Sequence, residues 1–167
     1  MSAEAIYKLR REIENTSGNH EGFKLAAIPS HHDPRNYKYE SLVMASNPVT
    51  EAPAIAIDYR PNLPPVFNQG DRGSCVACAT AWTPKAFEEM TQGDFPVGGL
   101  SASFLYSMCK QIDGLPGQEG TTPKAAMQVL QKYGVCPESA MPYSTLANLK
   151  EPLVPVAPDN VKKSAEK

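Results

Sequence analysis

The chain has 167 residues, of which 41% are hydrophobic and 20% are charged, and its formal net charge is −2. This length suits one domain of about 100–150 residues with an extension. The near-neutral charge and the sparse aromatic residues argue against binding nucleic acid, and no apolar run approaches the roughly 20 residues that span a membrane. Residues 1–15 lack the apolar core of a secretory signal, so we expect a cytoplasmic protein.

The N-terminal third of the chain is predicted to be irregular. Residues 4–15 place apolar side chains on one face at helical spacing and predict a short amphipathic helix. Residues 20–57 contain four prolines, at positions 29, 34, 48 and 53. Because proline fixes φ and removes a backbone donor, this stretch is predicted to be an extended segment that crosses a surface.

Residues 74–92 predict a central helix, with Ser74 as its N-cap and Gly93 after its end. Its residues are largely apolar, which is typical of a helix buried between neighbours. Pro84 lies in its interior, where proline costs about 3 kcal/mol. We therefore expect the helix either to bend at Pro84 or to consist of two pieces.

Two further helices follow. Ser101 is predicted to cap the second helix, and Thr122 followed by Pro123 predicts the start of a third helix that ends before Gly134. The predicted core faces consist of Phe104, Leu105, Met108 and Ile112 in the second helix and Ala126, Val129, Leu130 and Tyr133 in the third. Residues 150–167 are rich in proline and charge and predict a flexible tail.

The segment 68–80 reads Asn-Gln-Gly-Asp-Arg-Gly-Ser-Cys-Val-Ala-Cys-Ala-Thr. Gln69 precedes Cys75 with glycines between them, and a helix-compatible run follows. This segment resembles the Gln-Gly-x-x-Gly-Ser-Cys motif of the papain family of cysteine peptidases. The resemblance covers roughly residues 55–143, and a looser similarity to bacterial papain-like proteins lies between residues 28 and 40.

The resemblance implies an α+β family fold, of which this chain has mainly the helical half. Residues 55–149 would form this half-domain, residues 1–54 a propeptide-like N-terminal extension, and residues 150–167 the tail. Papain-like enzymes carry their catalytic histidine and asparagine roughly 130–150 residues after the cysteine. We therefore expect only the N-terminal half of a bacterial- or archaeal-type enzyme, catalytically incomplete unless a second polypeptide supplies the histidine.

By resemblance, Cys75 is the nucleophile, and the side-chain amide of Gln69 forms the oxyanion hole with the backbone N–H of Cys75. A cysteine that opens a helix is also favoured as a nucleophile, because the helix N-terminus stabilises a thiolate. The substrate cleft is expected to be lined by Gly73, Ser74 and Gly120, with Gly117 as a weaker candidate. The expected substrate is a peptide or protein, and no metal or cofactor is expected.

The sequence departs from the family motif at two positions. Val76 stands where the family has a tryptophan after the nucleophile, and Arg72 replaces a disulfide-forming cysteine. We therefore expect free thiols at Cys75, Cys78, Cys109 and Cys136, as in a reducing compartment. The Cys75-x-x-Cys78 spacing also matches a redox pair or half a zinc site, but a βαβ context and a second close pair are lacking.

The three histidines, His20, His31 and His32, all precede Cys75 in the extension. Loop histidines are usually solvated, so a catalytic role is the less favoured interpretation. A metal site at His31 and His32 is less favoured still, because further ligands at suitable spacing are lacking.

Three functions remain open from the sequence. The chain is either the cysteine-bearing half of a peptidase, a truncated inactive relative that binds or inhibits another protein, or a gene fragment with little function. The missing histidine, Val76 and Pro84 favour the second. An isolated half-domain would expose a large apolar face, so we expect a homodimer, an aggregation-prone monomer or a tight complex with a complementary chain.

Overall fold

The computed structural model describes residues 25–36, 58–115, 117–149 and 156–165. Within these ranges the chain forms helices joined by loops, and its β pairing is limited to two isolated bridges, Ala27 with Thr121 and Leu100 with Pro137. The helix predicted at residues 4–15 lies outside the described residues. None of the described helices is both long enough and apolar enough to cross a membrane.

In the described part of the chain, six α-helices follow a 3₁₀ turn at Arg60–Asn62. They are α1 (Cys75–Thr80), α2 (Ala86–Gln92), α3 (Ala102–Ile112), α4 (Pro123–Tyr133), α5 (Tyr143–Ala147) and α6 (Asp159–Ala165). A π-helical segment, Ala81–Lys85, joins α1 to α2 and contains Pro84. The central helix is thus continuous, with a wider turn where proline removes a backbone donor.

The predicted helix ends agree with the structure except in one side chain. Ser101 and Thr122 each accept a hydrogen bond from the amide three residues on, at 3.0 and 3.1 Å. Gly93 and Gly134 follow α2 and α4 with φ of 83° and 71°. Ser74 does occupy the N-cap position of α1, but its side chain makes no capping bond, because its hydroxyl is hydrogen-bonded elsewhere.

The core lies where α1, α3 and α4 pack against one another and α5 packs against α3. Its most buried side chains are those of Ala77, Ala81, Phe104, Leu105, Tyr106, Met108, Cys109, Ala126, Val129, Cys136 and Leu146. The predicted faces of α3 and α4 are therefore largely correct. Ile112 differs and is 42% exposed, because it is the last residue of α3.

Part of the segment predicted as a flexible tail packs on the core. Ala157 and Val161 are buried, and α6 begins between them at Asp159. Prolines and charges suggested no core pattern in residues 150–167, but Ala157 and Val161 belong to the same buried cluster as the side chains of the core helices.

Candidate active site around Cys75

Cys75 is the first residue of α1, and its side chain is half-buried. Its Sγ accepts a hydrogen bond from the backbone N–H of Ala26, at 3.2 Å. The thiol lines a pocket of about 380 Å³ together with Gln69, Cys78 and Trp82. A backbone amide from the N-terminal extension therefore covers one side of the thiol.

Residues 25–33, which we call the docked segment, lie in extended form beside the loop that precedes α4. Ala27 forms a parallel bridge with Thr121, and the amide of Ile28 donates to the carbonyl of Thr121 at 3.0 Å. The amide of Lys124 donates to the Ser30 hydroxyl at 3.2 Å. The docked segment is thus bound through its backbone, as an added strand would be.

Gly73 and Gly120 allow the docked segment to approach closely. A Cβ on Gly120 would lie 2.1 Å from the carbonyl oxygen of Ala26, and φ of Gly120 is +82°. A Cβ on Gly73 would lie 3.1 Å from the Ala26 Cβ. The structure therefore brings two of the predicted cleft residues together, whereas a Cβ on Gly117 would meet nothing within 4 Å.

Gln69 is buried and lines the same pocket as Cys75. Its Nε2 donates to the carbonyl oxygen of Arg72 at 2.9 Å. This bond closes the loop between the two residues and fixes the side-chain amide of Gln69 beside the thiol. Arg72 in turn donates from Nη1 to the carbonyl of Leu149, at 2.8 Å, and so ties the loop to the chain after α5.

Tyr143 joins both ends of the loop before Cys75, a role that no sequence motif predicted. Its hydroxyl donates to the carbonyl of Gln69 at 2.8 Å and lies 2.6 Å from the Ser74 Oγ. Since a phenol has one proton, the Ser74 hydroxyl donates to Tyr143. The Tyr143 ring meets Phe67 edge to face, and burial raises the pKa of its phenol. The only sequence signal was the similarity of residues 141–143 to the family.

The loop between α3 and α4 is held by a buried ion pair. Lys110 Nζ lies 2.9 Å from Asp113 Oδ2 and donates to the carbonyls of Leu115 and Gly120, at 2.9 and 3.0 Å. The Thr121 hydroxyl donates to the same Asp113 oxygen. The side chain of Asp113 is fully buried. These bonds hold Gly120 and Thr121 where the docked segment contacts them.

Asp33 fastens the C-terminal end of the docked segment. Its Oδ2 lies 2.9 Å from Lys124 Nζ at the first turn of α4 and 2.9 Å from Arg35 Nη2. Hydrogen bonds from Arg35, and secondly from Lys124, hold the pKa of the Asp33 carboxyl well below its ordinary value. The segment is therefore held by a charged contact as well as by its backbone.

The described histidines lie elsewhere. His31 and His32 line a different cavity, of about 440 Å³, together with Asp33 and Lys124. Neither of these two lines the pocket that contains Cys75, and His20 is outside the described ranges. Within the part of the chain that the structure describes, no group of three His, Cys, Asp or Glu side chains could hold a metal ion.

An apolar surface that we call the open wall is formed by residues 64–67, Trp82 and Phe95. Residues 64–67 and Trp82 line both the Cys75 pocket and a neighbouring cavity, which Phe95 also lines. Val66 is 100% exposed. The rings of Phe67 and Trp82 pack at 4.7 Å between centroids. Trp82 Nε1 is buried and has no hydrogen-bond partner among the described residues, although such indole groups usually have one.

Two solved structures are similar to this chain. Xylellain, a cysteine protease from Xylella fastidiosa, is 28% identical over 85% of this chain, with a TM-score of 0.60. The digestive procathepsin L 3 of the Tenebrio molitor larval midgut is 18% identical over 93% of the chain, with a TM-score of 0.53. The aligned regions span 54% of the xylellain chain and 42% of the procathepsin chain.

No family model matches the sequence, and no curated protein matches it. The similarity therefore rests on the solved structures, both of which are papain-like cysteine proteases. Their similarity, together with the helices and the absence of strands in the described ranges, is consistent with the helical half of that fold. In its fold, this chain is similar to papain-like cysteine proteases over most of its length.

Proposed function

We propose that this chain is the cysteine-bearing half of a papain-like cysteine peptidase, with Cys75 as its nucleophile. The observation that carries the proposal is the docked segment. An extended backbone already lies against the thiol, donating its Ala26 N–H to Sγ and pairing with Thr121. A groove that binds one peptide backbone beside a half-exposed thiol has the shape that peptide cleavage requires. The similarity to xylellain supports the same function.

In the proposed reaction, the Cys75 thiolate attacks the carbonyl carbon of the scissile peptide bond. The carbonyl oxygen becomes an oxyanion, which accepts hydrogen bonds from Gln69 Nε2 and the Cys75 N–H. Donors of this kind are each worth about 10²–10³ in rate. An imidazole takes the thiol proton and returns it to the leaving amine. Neither His31 nor His32 lines the Cys75 pocket, so we propose that this imidazole comes from outside the described residues, with a complementary polypeptide as the candidate source.

We further propose that residues 1–54 act as a propeptide-like extension and residues 55–149 as the half-domain. The docked segment occupies the groove in which the substrate backbone would lie. Gly120 approaches Ala26 too closely for a second strand to fit between them. The extension therefore has to leave before a substrate binds. Residues 150–167 follow as a tail that is partly anchored through Val161.

The open wall is the proposed contact for the polypeptide that carries the histidine. It combines the fully exposed Val66 with the ring pair of Phe67 and Trp82. A homodimer through the same surface is the alternative occupant. Sedimentation of the chain alone distinguishes them, because a homodimer forms without any second component and a complementary chain does not.

The test compares two alkylating reagents that carry the same chloromethyl ketone, one attached to a dipeptide and one to a methyl group. A peptide-binding groove should make the dipeptide reagent label Cys75 at least about tenfold faster, which corresponds to 1.4 kcal/mol of binding. Mass spectrometry of residues 73–85 reports the labelling. Cys75→Ser should lose it, whereas Cys109→Ser should not, because Cys109 is buried in the core. Because the docked segment occupies the groove, the two reagents are compared in Asp33→Asn, which removes the charged contact of that segment with Lys124, as well as in the wild type. Equal rates for the two reagents in both proteins would refute the proposal.

A binding or inhibitory protein is the second candidate. It is favoured by the Cys75 pocket, because its described lining residues include no histidine and its thiol is already covered by Ala26. This candidate predicts that the dipeptide reagent has no advantage and that adding a histidine-bearing complement restores no hydrolysis. The two candidates therefore give opposite results in one experiment.

A further inference from the structure

Cys75 and Cys78 share a single pocket, in which Phe67, Gln69 and Trp82 are further lining residues. Cys75 is half-exposed at the start of α1, and Cys78 is buried one turn later. The other two cysteines, Cys109 and Cys136, are fully buried in the core and do not line that pocket. Of the four thiols, two therefore face the same space, and one of them is open to small molecules.

We propose that Cys75 and Cys78 form a reversible disulfide that switches off the Cys75 thiol under oxidising conditions. The bond itself follows from the position of the two thiols. Its regulatory consequence rests on the proposed function, because a disulfide removes the sulfur that would attack a peptide bond.

The spacing permits the bond but strains it. Helical residues three apart have Cβ atoms about 5–6 Å apart, whereas a disulfide needs about 3.5–4.5 Å. The first turn of α1, which is closed by a bond of 3.0 Å from the Cys78 amide to the Ser74 carbonyl, must tighten. Strained disulfides are more easily reduced, and such bonds are usually regulatory or catalytic rather than structural.

The environments of the two sulfurs assign their roles. Burial raises the pKa of the Cys78 thiol to about 11, and its Sγ lies 3.6 Å from the Ser74 hydroxyl. Cys78 is therefore held as a neutral thiol that an external reagent reaches poorly. Cys75 is the residue that meets the oxidant, and Cys78 is the resolving thiol beside it.

With hydrogen peroxide as the oxidant, the reaction balances as follows. The Cys75 sulfur attacks one peroxide oxygen, the O–O bond breaks, and Cys75 sulfenic acid and one water form. The Cys78 sulfur then attacks the Cys75 sulfur, the S–S bond forms and the S–O bond breaks. The released hydroxyl takes the Cys78 proton and leaves as a second water. The two thiols lose two electrons, and the peroxide gains them.

The experiment treats the whole chain with hydrogen peroxide, blocks the remaining thiols with N-ethylmaleimide and analyses the tryptic peptide 73–85. This peptide contains both cysteines and no other. We expect a product that lacks two hydrogens and takes up no maleimide until dithiothreitol is added. Wild-type protein should also lose Cys75 alkylation on oxidation and regain it on reduction.

Two variants complete the test. Cys78→Ala should convert the outcome to sulfinic and sulfonic acids at Cys75 that dithiothreitol does not reverse. Cys109→Ala is the matched control, a buried thiol away from the pocket, and should behave like the wild type. The proposal would be overturned if peptide 73–85 of the wild type gained as much oxygen as that of Cys78→Ala and lost no hydrogen.

This readout is independent of peptidase activity. If the dipeptide reagent shows no advantage but the disulfide forms, the proposed function fails and the redox pair stands. If Cys78→Ala does not fold, the wild-type protein alone tests the disulfide. A peptide 73–85 that lacks two hydrogens, from oxidised protein that still unfolds cooperatively on heating, supports the bond.

Discussion

Two regions near Cys75 differ in how completely contacts within the chain satisfy their polar and apolar groups. On one side, which we call the closed wall, Lys110, Asp113 and Thr121 hold one another by hydrogen bonds, and the docked segment covers Gly120. On the open wall, Val66 is fully exposed, and the buried indole N–H of Trp82 has no hydrogen-bond partner within the described ranges. One wall is thus completed by the chain itself, and the other has the composition of a surface that a partner would cover.

The two walls differ in whether their groups are satisfied by nearby residues of the same chain. The polar groups of the closed wall are paired within about ten residues of chain, from Lys110 to Gly120. On the open wall, Val66 is exposed, whereas Phe67, Trp82 and Phe95 are partly buried against the core. A change in the closed wall should therefore affect folding first and the thiol second, whereas the open wall should matter chiefly for association.

The largest expected effect comes from breaking the closed wall at its ion pair. Lys110→Met leaves the fully buried Asp113 carboxylate without its cation, and losing one partner of a buried pair costs about 3–5 kcal/mol. Urea unfolding should show this loss in the free energy of unfolding. Arg60→Met, which removes an exposed cation paired with Asp58, should leave the free energy of unfolding nearly unchanged. Equal costs would mean that the closed wall is not held from within.

A smaller effect is expected where Tyr143 joins the two ends of the Gln69–Ser74 loop. Tyr143→Phe keeps the ring against Phe67 but removes the hydroxyl that bonds Gln69 and Ser74. Removing one partner of a buried hydrogen bond costs about 1–3 kcal/mol. Urea unfolding measures this cost. The time course of Cys75 alkylation should also depart from a single exponential, because the loop is held less firmly.

The control for that change is Tyr59→Phe, because the Tyr59 side chain is more than half exposed while its ring packs on Phe87. Surface substitutions of this kind usually stay within about 0.5 kcal/mol. If the two variants unfold at the same urea concentration, the Tyr143 hydroxyl does not hold the loop.

Gly120→Ala should displace the docked segment while leaving the Lys110–Asp113 ion pair in place. Its new Cβ would meet the Ala26 carbonyl at 2.1 Å, so the docked segment should be expelled. We expect faster hydrogen exchange at residues 26–30 and faster alkylation of Cys75, which loses the Ala26 N–H. Gly117→Ala is the control. It places alanine in the same left-handed backbone conformation, at a cost of about 1–2 kcal/mol, but its Cβ would meet no atom of the described residues within 4 Å. Equal hydrogen-exchange rates at residues 26–30 in Gly120→Ala and Gly117→Ala would show that the docked segment does not lie in the groove.

The smallest effect is expected at the charged end of the docked segment. The folded pKa of Asp33 is lowered, so its contribution is present above the ordinary value of 3.8 and is lost as the pH falls toward the folded pKa. Asp33→Asn should therefore speed hydrogen exchange at residues 26–30 relative to the wild type at pH 7. The ratio should hold down to about pH 4 and shrink below it.

Asp58→Asn provides the comparison for Asp33, because Asp58 pairs with Arg60 two residues on in the same geometry but away from the groove. Its exchange at residues 26–30 should match the wild type at every pH. A ratio for Asp33→Asn that is independent of pH would show that the carboxylate charge does not hold the segment.

Much of the local structure could be predicted from the sequence, because it depends on neighbours along the chain. Ser101 and Thr122 cap their helices, Gly93 and Gly134 follow helix ends, and Pro84 marks the turn where the central helix widens. Capping bonds and left-handed glycines involve residues only a few positions apart, so their chemistry is visible in sequence order.

The tertiary structure alone decided which distant groups meet at Cys75. Ala26 lies 49 residues from Cys75, and Tyr143 lies 69 residues from Ser74, yet each is within hydrogen-bond distance. Ser74 fits the sequence pattern of a capping residue, but its hydroxyl bonds Tyr143 because packing places a stronger partner there. The sequence determined the Gln69 to Cys75 motif and the helices, whose interactions are local. Long-range packing decided what covers the thiol, since such contacts depend on how helices and loops meet and leave no fixed spacing in the chain.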